Sequence, residues 1–299
     1  MPWVILHIET DEQHCAALED ALLECGAATV SLQDSADQPL FDEPSESTRL
    51  WRQILISGMF DAATDIDAVQ QQLLSRTDLS IGHHRQEILE DKDWVRAWMD
   101  SYQPIALGNR LWVCPSWLTP PEPSAVNLVL DPGMAFGTGT HATTAMCLRW
   151  LDSADLPGKK IIDFGCGSGI LAIAALLLGA DTAVATDIDS QAITATRNNA
   201  ERNRVIDRLQ LCYPGELSAT PAADLVLANI LAGPLVNLSS VISQLVKPGG
   251  KLVLSGILEQ QAEQLIRAYP QFDFVSPHQQ DGWVMLQATR STREPDEIK

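Results

Sequence analysis

The sequence predicts an α/β protein, a doubly wound and mostly parallel sheet preceded by a smaller α+β domain of ferredoxin-like order. Three observations lead there. From about Lys159 onward, short apolar runs of strand length alternate with helix-period segments. A glycine cluster, Gly165-Cys166-Gly167-Ser168-Gly169, falls between the first such strand and its helix. The length of 299 residues, with 45% hydrophobic side chains, suffices for one full-sized core and a second, smaller one.

The front of the chain opens on an alternating strand at Trp3 to Ile5, followed by a helix-period segment from about Glu12 to Cys25 that Gly26 stops. A second strand is expected at Ala27 to Leu32, and a polar loop rich in Asp, Ser and Pro at Gln33 to Thr48. Leu50 to Ile56 reads as a strand, and Ile66 to Arg76 as a helix with Asp65 or Thr64 as its cap. This order suits a βαββαβ sandwich, assigned to residues 1–90. Residues 91–123 read as a linker, with Trp94, Trp98, Trp112 and Trp117 and the Pro-dense TPPEP that closes it. Trp94 and Trp98, four apart, would share one helix face and pack against a neighbour.

The larger domain is assigned to residues 124–299. Its strands are read at 161–164, 183–188, 209–213, 224–230 and 251–257, with helices at 170–178 and 191–203 between them. Lys247-Pro248-Gly249-Gly250 is a turn leading into a buried strand. The runs 272–275 and 283–288 suggest an antiparallel hairpin that closes the sheet with one reversed edge strand.

Charge and composition narrow the function classes. The net charge of -19 repels a phosphate backbone and attracts a basic partner. It is lopsided: residues 1–100 carry 20 acidic against 6 basic side chains. A plain solubility charge explains that excess more simply than a docking face does. The N-terminus lacks a basic leader and a long apolar run, which predicts a cytoplasmic protein. Six scattered cysteines without C-x-x-C spacing, and six histidines without a ligand pattern, predict neither disulfides nor a metal.

The chemistry is expected at the glycine cluster. Glycines between strand and helix let a backbone approach a ligand, and the helix N-terminus offers free N–H groups to a carboxylate or phosphate. Ile170 stands where a dinucleotide fingerprint wants its third glycine, which disfavours NAD. At the end of the next strand, 22 positions beyond Gly165, Asp187 can accept both ribose hydroxyls of an adenosine. Asp189 could share that role or simply cap the following helix. Asn229 lands at the carboxyl edge of the sheet, where it either orients an amine through its side-chain oxygen or satisfies loop backbone. The loop Asp131 to His141 carries three glycines with hydroxyl and imidazole groups, unusual for a mere connection but compatible with a plain turn.

Taken together, GMAFGTGTH followed by TT, DFGCGSGILAIAA, TDID and NILAGPL resemble the ribosomal protein L11 methyltransferases, the PrmA family, over essentially the whole chain. GCGSG and TDID are generic to class I methyltransferases, whereas the GTGTH loop and NILAGPL are much more family-specific. The resemblance implies a seven-stranded class I methyltransferase sheet, with S-adenosylmethionine contacted by Thr144, Gly165, Asp187 and Asn229 and with Gly167 lining the same turn. It also implies that the front domain recognises a lysine-rich protein of the large ribosomal subunit, and that amino groups, on lysines and the N-terminus, become trimethylated. Ala142 departs from the proline expected after His141 in many relatives. That residue bears on where the helix starts.

Transfer of a methyl group from sulfonium to amine needs nitrogen, methyl and sulfur in line and a neutral nucleophile. Asn229 is therefore expected to position the amine while water takes its proton, with His141 as a lesser candidate for a base. The implied protein is a monomer acting without nucleic acid or membrane. Alternatives are a class I methyltransferase for another basic protein or a small-molecule amine, a nicotinamide-dependent oxidoreductase, and a non-catalytic acidic chaperone of a basic ribosomal protein.

Overall fold

The computed structural model describes residues 2–35, 53–89, 102–131, 137 and 139–292. The chain divides into two compact units, residues 1–101 and 102–299.

The front unit runs β1 (Trp3–Asp11), α1 (Glu12–Glu24), β2 (Thr29–Asp34), β3 (Gln53–Asp61), α2 (Ile66–Leu74) and β4 (His84–Leu89). Its sheet has the order β2-β3-β1-β4, every pairing antiparallel. Helix α1 starts where the Asp11 carboxylate accepts the backbone N–H groups of Gln13 and His14, and it stops before Gly26 at φ +92°. Asp65, not Thr64, caps α2 through Ala68 N–H. The buried stripes Cys15, Leu18, Ala21, Leu22 and Ile66, Val69, Leu73 lie on the core formed by Leu6, Ile8, Ile56 and Phe60. Strand β3 continues to Asp61, past the Ile56 that periodicity reaches. Gly58 sits where α1 presses on the sheet: a Cβ there would come 3.1 Å from Leu22 Cδ2.

The second unit begins earlier than the sequence suggests. Residues 102–123, read as linker, are folded: β5 (Ile105–Ala106) and β6 (Leu111–Cys114) pair antiparallel, and β6 pairs in parallel with β7 (Val126–Val129). Leu107, Leu111 and Val113 are buried in the core of the main sheet, which a solvated linker could not be. The Trp94 and Trp98 pair lies outside the described residues.

Next come α3 (Ala142–Ser153), β8 (Lys160–Phe164), α4 (Ile170–Leu177), β9 (Thr182–Thr186), α5 (Ser190–Arg202), β10 (Leu209–Cys212) and β11 (Ala223–Asn229). The unit finishes with α6 (Ala232–Asn237), α7 (Ser239–Leu245), β12 (Val246–Leu258), α8 (Ala262–Ala268), β13 (Phe272–Phe274), β14 (His278–Gln280) and β15 (Trp283–Arg290). The main sheet has the order β10-β9-β8-β11-β12-β15-β13, with β14 pairing β15 off that path. Strands β8 to β12 are parallel and β15 is antiparallel to its neighbours. The reversed strand is thus not at the edge, which corrects the expectation. Helix α8 carries the chain from β12 to β13 as a crossover, leaving a gap of one strand that β15 fills on its return.

Alternation along the strands separates two cores. Ile161, Leu225, Leu227 and Val253 belong to one, whereas Ile162, Val226, Leu252 and Leu254 belong to the other, so both faces are covered. Helix α4 is apolar throughout and buried from Ile170 to Leu176, which explains why its sequence shows no polar face. Among the described residues, no helix is long and apolar enough to cross a membrane.

Candidate functional site

The parallel strands deliver Phe164, Thr186 and Asn229 to one edge of the sheet, and the glycine turn lies there. Gly165 N–H and Cys166 N–H both donate to Thr186 O, at 2.8 and 3.0 Å, which ties the turn to the end of β9. Gly165 and Gly169 have φ of +77° and +78°, and neither has room for a side chain. A Cβ at Gly165 would stand 2.3 Å from Ile230 Cγ2, and one at Gly169 2.5 Å from Thr196 Cγ2. The turn is therefore bare backbone held against its neighbours, opening on the uncapped N-terminus of α4.

Asp187, directly after β9, uses one carboxylate oxygen to accept Gly167 N–H at 2.9 Å and the other to accept Asp189 N–H at 3.0 Å. These bonds fix its orientation beside the turn, and each oxygen keeps a lone pair for a hydroxyl. Asp189 accepts Gln191 N–H at 2.8 Å and caps α5, as the second of its sequence readings expects.

Asn229 and Thr144, 85 residues apart, meet across the site. Asn229 Nδ2 donates to Thr144 Oγ1 at 3.1 Å, and Thr144 is wholly buried. The amide oxygen of Asn229 is also shielded from solvent and has no hydrogen-bond partner among the described residues. A buried acceptor left unpaired costs about 1–3 kcal/mol, which makes this oxygen a candidate to receive a ligand's donor.

His141 is placed as the N-cap of α3. Its Nδ1 lies 2.7 Å from Thr143 Oγ1 and accepts Thr143 N–H, and the ring packs edge-on against Trp283 with centroids 5.1 Å apart. The helix begins at Ala142 without the expected proline because this imidazole supplies the cap. Nδ1 is thereby committed to the helix cap. Of the preceding loop, Asp131 accepts Ser116 N–H and Oγ–H, and Gly137 O accepts Ser168 Oγ–H at 2.6 Å, so the loop is stapled to the glycine turn. Residues 132–136 and 138 lie outside the described residues.

Sequence reasoning missed three supports. Asp163, the last polar residue of β8, is fully buried: one oxygen accepts Ala172 N–H at 3.0 Å in the first turn of α4, and the other has no partner among the described residues. Burial pushes its carboxyl up to about 7, against the opposing pull of the Ala172 bond, and the nearby Asp187 charge adds to the rise. On α5, Thr196 Oγ–H donates to Gly167 O at 3.0 Å and Asn199 Nδ2 to Ser168 O at 2.8 Å, which braces the turn from the side. The available signal was two polar residues three apart on the face of α5 that its alanines bury.

Comparison with known proteins gives consistent likenesses. The family model of "Ribosomal protein L11 methyltransferase (PrmA)" matches residues 2–291. A protein of that name from Shewanella amazonensis is 51% identical over 294 residues, spanning 98% of this chain and 100% of its own length. Another, from Photorhabdus laumondii subsp. laumondii, is 54% identical over 278 residues, 93% of this chain and 94% of its own. The crystal structure of ribosomal protein L11 methylase from Lactobacillus delbrueckii subsp. bulgaricus superposes with a TM-score of 0.59 at 32% identity, covering 64% of this chain and 100% of that chain.

Proposed function

Because the chain belongs to the ribosomal protein L11 methyltransferase (PrmA) family, we propose that it transfers methyl groups from S-adenosylmethionine to lysine side chains and the N-terminal amine of that large-subunit ribosomal protein. The cofactor supplies an electrophilic methyl on a sulfonium. Gly165 and Gly167 give the backbone surface for its amino-acid tail, Asp187 accepts its ribose hydroxyls, and Thr144 and Asn229 close the remaining side. The observation that carries this reading is the unpaired, buried amide oxygen of Asn229 at the carboxyl edge of the sheet. It accepts an N–H of the incoming unmethylated or monomethylated amine and so aims the nitrogen lone pair along the line of attack.

A lysine ammonium has no lone pair, and its ordinary pKa is near 10.4. Leaving water for a closed pocket disfavours the charged form, so the amine enters neutral and bulk water accepts the proton. No strong base of the protein is required.

The doubly wound unit provides this chemistry, and the smaller βαββαβ unit, ferredoxin-like in order, recognises the substrate. Its excess of acidic residues suits a lysine-rich partner. The enzyme works as a monomer in the cytoplasm and needs no nucleic acid. The test is to incubate the chain with radiolabelled methyl donor and purified large-subunit ribosomal proteins, then map the label by mass spectrometry. Label on amino groups of L11 is the expected result. Tight association without label would instead favour a chaperone of the basic protein.

A further inference from the structure

A second cavity, of about 910 Å³, lies far from the site just described. It is lined by Lys159, by Asp224 and Leu225 at the start of β11, and by Lys247 to Lys251 at the start of β12. These are the amino-terminal ends of the strands whose carboxyl-terminal ends carry Gly165 and Asn229. A five-residue strand separates the two edges by about 17 Å.

Its lining is unusual for a chain of net charge -19. Arg149, Lys159, Lys247 and Lys251 face it against only Asp155 and Asp224. Asp224 is already committed, one oxygen accepting Lys247 Nζ–H at 3.0 Å and the other Lys160 N–H at 2.8 Å. Arg149, Lys159 and Lys251 have no carboxylate within ion-pair distance among the described residues; Arg149 and Lys251 donate instead to neutral oxygens of Gln280 and Thr289. Four cations share this lining with two carboxylates, and Asp224 feels the charges of both Lys247 and Lys159, so the cavity keeps an excess of positive charge that attracts a multiply charged anion. Apolar side chains also line it, with Met146 and Met285 almost fully buried. Trp150 also faces the cavity, and its indole N–H is pinned by Gln287 Oε1 at 2.9 Å, which holds the ring in one orientation. The size falls within the usual range for small-ligand sites, and a ligand with an apolar body and an anionic group matches the mixture of apolar and cationic side chains in the lining.

We propose that this cavity is a second ligand site that takes a nucleoside phosphate, with the phosphate among Arg149, Lys159 and Lys251 and the base against Trp150. A phosphomonoester carries close to two negative charges at neutral pH, matching the excess of cations. Arg149 and Lys251 can exchange their neutral acceptors for phosphate oxygens, gaining charge-assisted bonds.

The test is calorimetric titration of AMP into the full chain saturated with S-adenosylhomocysteine, so that the adenosine pocket of the methyl-donor site is closed to it. Parallel titrations use inorganic phosphate, adenosine and a single-stranded RNA oligonucleotide. AMP should bind one per chain, and phosphate or adenosine alone should bind at least roughly tenfold more weakly, since each loses half of the contacts. Lys159→Gln combined with Lys251→Gln, at positions without ion pairs in the structure, should weaken AMP by about tenfold and leave S-adenosylhomocysteine affinity and Tm unchanged. The proposal is overturned by absence of heat with AMP, by AMP binding that ignores the double substitution, by phosphate binding as tightly as AMP, or by tight binding of the RNA alone.

Discussion

Asn229 donates its amide N–H to Thr144 Oγ1 at 3.1 Å, and this single bond decides which end of the amide faces the site. With the donor end engaged by a wholly buried hydroxyl, the acceptor end is the one left for a ligand. Thr144→Val keeps the volume and removes the acceptor, so the amide loses its orientation. The expected effect is a fall in kcat of about tenfold, whereas Asn229→Ala should lower kcat on the order of a hundredfold. The double variant should be no slower than Asn229→Ala alone, because both act through one group. Steady-state rates with labelled methyl donor check this; additive losses would separate the two residues.

The glycine turn gives a prediction about stability and binding together. Gly165→Ala places a methyl 2.3 Å from Ile230 Cγ2 at a φ of +77°. The backbone term costs about 1–2 kcal/mol and the clash adds to it. Calorimetry should show a lower Tm and a loss of S-adenosylmethionine affinity. Adding Ile230→Ala removes the clashing atom but not the φ penalty, so it should restore part of the Tm. Complete restoration would mean that φ strain is negligible there.

Much of the site could be read in the sequence because its parts sit at strand ends, where periodicity stops and special residues begin. Gly165, Asp187 and Asn229 each follow an apolar run, and the parallel order of β8, β9 and β11 puts their ends side by side. Local pattern also found α1 and α2, whose caps and buried stripes are contiguous in the chain. What escaped depends on long-range packing. The strands β5 and β6 are two and four residues long, too short for a period, and exist because Leu111 and Val113 reach the main core. The interior place of β15 is set by where α8 lands, not by any residue of β15 itself. Thr196 and Asn199 look like ordinary helix polars until the turn they brace is in view.

Asp163 makes native stability depend on pH in a defined direction. Its folded carboxyl is raised from 3.8 to about 7, so the native chain holds a proton that the unfolded chain releases. The stabilisation is complete below about 4 and is lost as pH rises through about 7. Asp163→Asn stays neutral at every pH and can still accept Ala172 N–H. Urea midpoints of the two proteins, compared from pH 5 to 8, should therefore move in favour of the variant up to about pH 7 and level off above it, by an amount on the order of a few kcal/mol at most. The slope is the test, since the constant offset also contains the new amide N–H. Parallel curves would mean that Asp163 is ionised in the native state across that range.

The acidic front unit predicts a salt effect confined to one substrate. Residues 1–100 carry 20 acidic and 6 basic side chains, and the exposed side of α1 presents Glu12 and Asp20. If this face draws in a lysine-rich protein, raising ionic strength from about 0.05 to 0.2 M shortens the reach of the field to less than a Debye length of 10 Å and weakens capture. The KM for the ribosomal protein should rise several-fold while the KM for S-adenosylmethionine, for which the proposed contacts are a glycine turn and hydrogen bonds, stays level. Glu12→Gln with Asp20→Asn should produce part of the same rise at low salt and a smaller further response to added salt. Both carboxylates are solvent-exposed, so the pair of substitutions leaves the fold intact. A protein-substrate KM indifferent to salt and to these changes would reduce the acidity of this unit to a solubility charge, and recognition would then have to rest on shape and apolar contact.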